Sequence, residues 1–173
     1  MMTKFQVNDS VLYGSEGVCR ITDICEQDFM GERAQYYVLK PVYTPGSTVF
    51  VPAANETLVA KMRRILSPDE IRGLIKTMPD EATVWIDDDN TRRARYAEIL
   101  QNGDRAELVG LIKALYHRRE EQQAKGRKLH AADERYLRDA EKVLYDEFAH
   151  VLRIKREEVL PFIMEQIQVK ERA

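Results

Sequence analysis

Ser67-Pro68-Asp69-Glu70 is where the chain changes its period, and that change decides the fold. Serine is a good N-cap, proline is tolerated in a first helical turn, and a glutamate three places after the serine completes a capping box. Beyond it Ile71, Leu74, Ile75 and Met78 recur at three- and four-residue spacing, so an amphipathic helix runs up to Pro79. Before it the residues alternate: Phe5, Val7, Val11 and Tyr13 form one strand, and Val18, Arg20 and Thr22 alternate with Cys19, Ile21 and Asp23 in the next. Gly14-Ser15-Glu16-Gly17 joins these two, Met30-Gly31-Glu32 precedes a third strand at about 35–41, and Pro45-Gly46 precedes a fourth at about 47–52. Four or five strands this short are too few for a sandwich and suit a small, strongly bent barrel.

Downstream, the helical period continues. Thr91 to Gln101 closes at Asn102-Gly103, and Asp104 caps a longer helix burying Leu108, Leu111, Ile112, Leu115 and Tyr116. The next presents Tyr136, Leu137, Ala140, Val143, Leu144 and Phe148. A last one runs from Arg156 to about Val169, with Pro161 in its first turn or so and Phe162, Ile163 and Ile167 packed inward. The expected fold class is α+β: a small β-barrel over 1–66, a helix and acidic linker over 67–90, and a bundle of four helices over 91–173.

Charge is uneven. Residues 68–91 hold two basic and seven acidic side chains, whereas 92–173 hold eighteen and fifteen, so any positive surface comes from clustering in the last block. Arg92, Arg93 and Arg95 crowd one helix, Arg118 and Arg119 lie near the end of the next, and Lys125, Arg127 and Lys128 follow in a loop. They read either as one patch able to hold phosphates or as ordinary solvated faces, since Glu98, Glu107, Glu120, Glu121 and Asp133 are interspersed. No apolar run approaches the roughly 20 residues that span a bilayer, and Met1 to Val7 lacks the apolar core of a secretory signal, so a cytoplasmic protein is expected.

Enzymatic signatures are missing. His117, His130 and His150 neither pair nor repeat at metal-ligand spacing, Cys19 and Cys25 are not a CxxC pair, and Gly14 to Gly17 lacks the lysine of a phosphate loop. A non-enzyme with no metal and no cofactor is expected. Thr48-Val49-Phe50-Val51-Pro52 carries the other candidate: its proline marks either an edge strand able to pair with another chain or a plain terminal strand covered by helices.

Phe5, Val7, Asn8-Asp9, Val11, Tyr13, Gly17-Val18, Ile21, Ile24, Tyr36 to Leu39 and Val49 to Pro52 together resemble the CarD/CdnL family of bacterial RNA polymerase-binding transcription regulators. The family's N-terminal module is shared with transcription-repair coupling factor. The resemblance continues through Gly103-Asp104, Leu115 to Arg119 and Leu129 to Leu144. It implies a Tudor-like N-terminal domain that pairs an edge strand with the RNA polymerase β subunit, and a helical domain near promoter DNA. Carried onto this chain, the polymerase face is Gln27, Thr48, Val49, Phe50, Val51 and Pro52, with proline at Val49 and Val51 expected to abolish pairing. The DNA contacts are Arg92, Arg93, Arg95, Arg119, Lys125 and Arg127. The resemblance also implies a tryptophan wedge near the start of the helix holding Arg92; a register anchored on Gly103-Asp104 puts Asp89 there, with Trp85 four residues earlier. Glu134 stands where a lysine is usual, and Gln27 and Phe50 stand where some members have arginine. A monomer is expected, with edge-strand self-association as the competing state. The alternative function is an adaptor that binds polymerase or another partner without touching DNA.

Overall fold

The computed structural model describes residues 4–80 and 85–172. The signal reading at Met1 to Thr3 and the middle of the expected Pro79 to Asn90 linker lie outside the described residues. The chain divides into two compact units, Met1–Ile65 and Leu66–Ala173.

The first unit is built on one antiparallel sheet: β1 (Ser10–Tyr13), β2 (Val18–Phe29), β3 (Glu32–Pro41), β4 (Val49–Pro52) and β5 (Met62–Arg64), in the order β4-β3-β2-β1-β5. No ladder joins β4 to β5 among the described residues, so the expected barrel is corrected to an open sheet. The reason lies in strand length. β2 and β3 form a hairpin of twelve and ten residues, while β1 and β4 have four each, so the far end of the hairpin has nothing to close against.

β2 outruns its expected end near Asp23 because a register shift between Ile21 and Asp23 absorbs Thr22. That extra residue lets Cys19, Ile21 and Ile24 all reach one core although their spacing is not even. The same core holds Phe5, Val11, Tyr37, Leu39, Val51 and Met62. Phe5 enters it from outside any strand, edge-on to Tyr37 at 5.9 Å, because Asn8 at φ 77° turns the chain before β1 begins. Val7 is exposed, which corrects the expected strand over Phe5 to Tyr13. Burial, with help from Glu16, pushes the Cys19 thiol up to about 12, so it behaves as a small apolar residue; Cys25 is also free. A single turn, α1 (Glu56–Val59), follows β4 and is capped by Asn55, whose side chain accepts the Leu58 N–H at 3.1 Å.

The second unit comprises α2 (Pro68–Thr77), α3 (Asp89–Asn102), α4 (Arg105–Ala124), α5 (Ala131–Leu152) and α6 (Arg156–Arg172). The Ser67–Glu70 capping box forms in both directions at 3.1 Å. Asp88 caps α3, and Thr91's hydroxyl and backbone N–H hold that carboxylate below its ordinary value. Gly103 takes the left-handed conformation between α3 and α4 at φ 69°, and Asp104 caps α4. α2 packs on α5 and α6 and so belongs to the helical unit. Leu108, Leu115, Leu137, Leu144 and Phe148 form the fully buried centre. In α6 it is Val159 and Ile163 that are buried, while Phe162 and Ile167 are half-buried. Pro161 sits in the second turn, where it removes a backbone hydrogen bond without ending the helix.

Two buried carboxylates join these helices. Glu147 of α5 is 0% exposed; Arg105 of α4 forks onto it, and it also accepts the Leu66 N–H at 3.0 Å. Asp146, its neighbour, faces Arg156 Nε at 3.2 Å, yet its Oδ1 has no well-aligned hydrogen bond. Burial raises the Asp146 pKa, against the pull of Arg156 and Lys142. A carboxyl whose folded pKa lies above its unfolded one loses stability as pH rises between the two values, so ionised Asp146 is a net cost at neutral pH. Asp146→Asn is expected to raise the urea midpoint at neutral pH and to flatten the fall in stability above the ordinary aspartate pKa. A lower midpoint would show that the Arg156 pair outweighs the burial.

Candidate functional site

β4 is one edge of the sheet. Its register with β3 pairs Val49 with Leu39, Phe50 with Val38, Val51 with Tyr37 and Pro52 with Tyr36. Ala53 N–H donates to Gln35 O at 2.9 Å, and groups two residues apart on an antiparallel strand point the same way. Val49 and Val51 therefore direct their main-chain groups into β3, while the N–H and C=O of Phe50 face outward. Pro52 brings no donor, and its carbonyl is taken by Asn55 N–H at 3.1 Å. The opposite edge, β5, carries Arg63 and Arg64, charges that discourage strand addition; β4 carries none.

Side chains follow the same alternation. Val51 is 0% exposed and packs in the core with Tyr37, whereas Phe50 is 41% exposed on the other face. Phe50, Phe29 and Tyr36 meet edge to face there, with centroids 5.0 to 6.4 Å apart. Gln27 pairs with Ala34 in the same alternating row as Cys25 and Phe29, donating to Cys25 Sγ at 3.3 Å, so it shares the Phe50 face. Thr48 is exposed just before the strand. Of the six residues carried over for polymerase, Val51 is thus a core residue and corrects the expectation for its side chain. Thr48 and Phe50 are exposed, and Gln27, Val49 and Pro52 are half-buried.

In the helical unit a cleft of about 90 Å³ is lined by Trp85, Asp87, Asp89, Arg92, Arg118, Gln122, Lys128, Leu129, His130 and Asp133. It gathers the start of α3, the last turns of α4, the loop after it and the first turn of α5. Arg92 is at its base and 2% exposed. Its Nε and Nη2 fork onto Asp133 at 3.1 and 3.0 Å, Nη2 also meets Asp89 at 2.8 Å, and Nη1 donates to the carbonyls of Ile86 and Asp87. Burial opposes the charge, but the two aspartates outweigh it and hold the pKa above its ordinary value. Arg92 is therefore corrected from a phosphate contact to an internal one, because its donors are spent inside the protein.

Trp85 stands beside the start of α3, with Arg92 over its ring at 4.4 Å and Arg118 at 5.0 Å. One residue on, Arg119 faces another way and lies over Tyr116 at 4.6 Å. Arg95 pairs with Glu107 at 3.0 Å and Glu98 at 3.3 Å, which leaves it mostly neutralised. Arg93, Lys125, Arg127 and Lys128 are exposed, and none of these four has an ion pair among the described residues. Of the six cations carried over for DNA, only Arg92 lines the cleft. Arg118 and Lys128 of the expected basic patch line it too, as does Trp85, whereas Gln122 and Asp133 were missed as site residues because nothing local marks them. Among the described residues, no group of three or more His, Cys, Asp or Glu is arranged to hold a metal ion. Nor is any helix among them long and apolar enough to cross a membrane.

Two family models match the chain. The CarD-like/TRCF RID domain covers residues 5–66, and the CarD C-terminal domain covers residues 73–164, more than half of the chain by itself. No curated protein matches it.

Proposed function

Because the chain belongs to the CarD family, and is therefore a transcription-associated regulator that interacts with RNA polymerase, we propose that it docks on the polymerase β subunit through β4 and brings its helical unit to promoter DNA. The observation that carries the docking is the outward N–H and C=O of Phe50 on an edge without charge. A partner strand adds main-chain hydrogen bonds there, and the Phe29, Tyr36 and Phe50 rings flank it with apolar surface.

On the DNA side, Arg93, Arg118, Lys125, Arg127 and Lys128 meet phosphates without reading sequence, while the half-buried Trp85 is the ring available to wedge against a distorted duplex. Docking raises the local concentration of the helical unit, so weak DNA affinity suffices. The adaptor reading draws support from Arg92 and Arg95, whose charges are already answered within the protein.

The test is capture of core RNA polymerase by the wild-type chain and by Phe50→Pro. Proline is compatible with an edge position whose N–H faces solvent, so the variant keeps the β3 ladder and loses the outward donor. Capture by the wild type and at least about tenfold weaker capture by folded Phe50→Pro supports docking; equal capture sinks it. For the DNA arm, Arg93→Glu with Lys128→Glu is expected to abolish effects at promoters while leaving polymerase capture intact. Unchanged promoter activity would favour the adaptor.

A further inference from the structure

We propose that Arg92 is a positioning residue: forked onto Asp133, it holds Trp85 at the cleft and so sets DNA affinity without touching DNA. The inference rests on the promoter-DNA reading above. Residues 85–87 lie outside helix and strand, and Arg92 supplies hydrogen-bond donors to the Ile86 and Asp87 carbonyls. Its other two nitrogens tie the same guanidinium to α5 through Asp133, and Asp89 closes the ring of acceptors. The plane that remains is the surface on which Trp85 rests. One side chain thus fixes the segment, the helix start and the ring together. Lysine cannot do the same, because a point charge neither forks onto a carboxylate nor stacks as a plane. Arg93, one residue on and exposed, is the contrasting case of a cation free to meet phosphate.

Trp85 is the only tryptophan, so its emission reports the segment directly. The intact wild-type protein is compared with Arg92→Lys, with the charge-neutral pair Arg92→Gln/Asp133→Asn, and with Arg93→Gln. The pair avoids stranding a buried charge, and far-UV circular dichroism checks its fold. Acrylamide quenching of Trp85 is read without DNA; affinity for a short duplex is read across a salt series. Arg92→Lys and the pair are expected to increase quenching and to weaken DNA binding about tenfold. The salt slope of the pair stays at the wild-type value, whereas Arg93→Gln leaves quenching unchanged and lowers the slope by about 1. Unchanged quenching in Arg92→Lys overturns the positioning role, and a slope lowered by about 1 in the pair identifies Arg92 as a phosphate contact instead. If the wild type binds no DNA, the promoter reading falls and takes the affinity claim with it, while quenching still decides whether Arg92 holds Trp85.

Discussion

Arg105→Ala is expected to lower the stability of the helical unit by about 3–5 kcal/mol, because it leaves the Glu147 carboxylate buried without its counter-charge. Glu147 is 0% exposed, and with Arg105 removed the Leu66 N–H is the donor left to it among the described residues. One neutral hydrogen bond does not offset the desolvation of a carboxylate. The double variant Arg105→Met/Glu147→Gln should recover most of the loss, since it removes both charges, keeps volume and leaves an acceptor for Leu66. Urea or thermal unfolding followed by Trp85 emission reads this unit specifically, because Trp85 lies within it. The single variant should melt more than about 10 °C lower. A change of only a few degrees would mean that water or a proton reaches Glu147 in its place.

Val51→Pro is expected to unfold the sheet unit, although Phe50→Pro beside it leaves that unit folded. Val51 is 0% exposed, belongs to the core with Tyr37 and Leu39, and sends its N–H into β3. Proline there removes a ladder hydrogen bond and a close-packed side chain, a loss of about 3 kcal/mol or more. Circular dichroism of the two variants separates them, and equal stability would refute the assigned parity. Proline at Val49 and Val51, the substitution that the sequence pattern suggests, therefore reports on folding rather than on docking.

Local signals were legible and distant pairings were not. The Ser67–Glu70 box and the Asn102-Gly103-Asp104 joint depend on neighbours within a turn, so both appear where the residues announce them. β2 was read as ending near Asp23 because the alternation that runs through Thr22 and Asp23 gives way to Glu26 and Asp28, which are charged. They belong to the solvated end of a hairpin, where Glu26 pairs with Arg33 at 3.0 Å, rather than to a loop. The edge position of β4 was readable from Pro52, but the direction of each main-chain group needs the register with β3. Arg92 was taken for a surface charge, and Glu147 was not singled out at all, because their partners, Asp133 and Arg105, lie 41 and 42 residues away. Nothing local distinguishes a charge that will be buried by such a partner from one that will stay in water.

The shortness of β4 bears on time as well as place. Four residues, with one facing outward at both main-chain groups and a terminal carbonyl already engaged, offer an incoming strand only a few bonds, each worth about 1 kcal/mol net. Attachment of that kind sets a rapid dissociation rate, since differences in affinity among related complexes lie mostly in how fast they separate. If β4 is the docking strand, as proposed, the expected behaviour is repeated brief visits to the polymerase rather than lasting attachment.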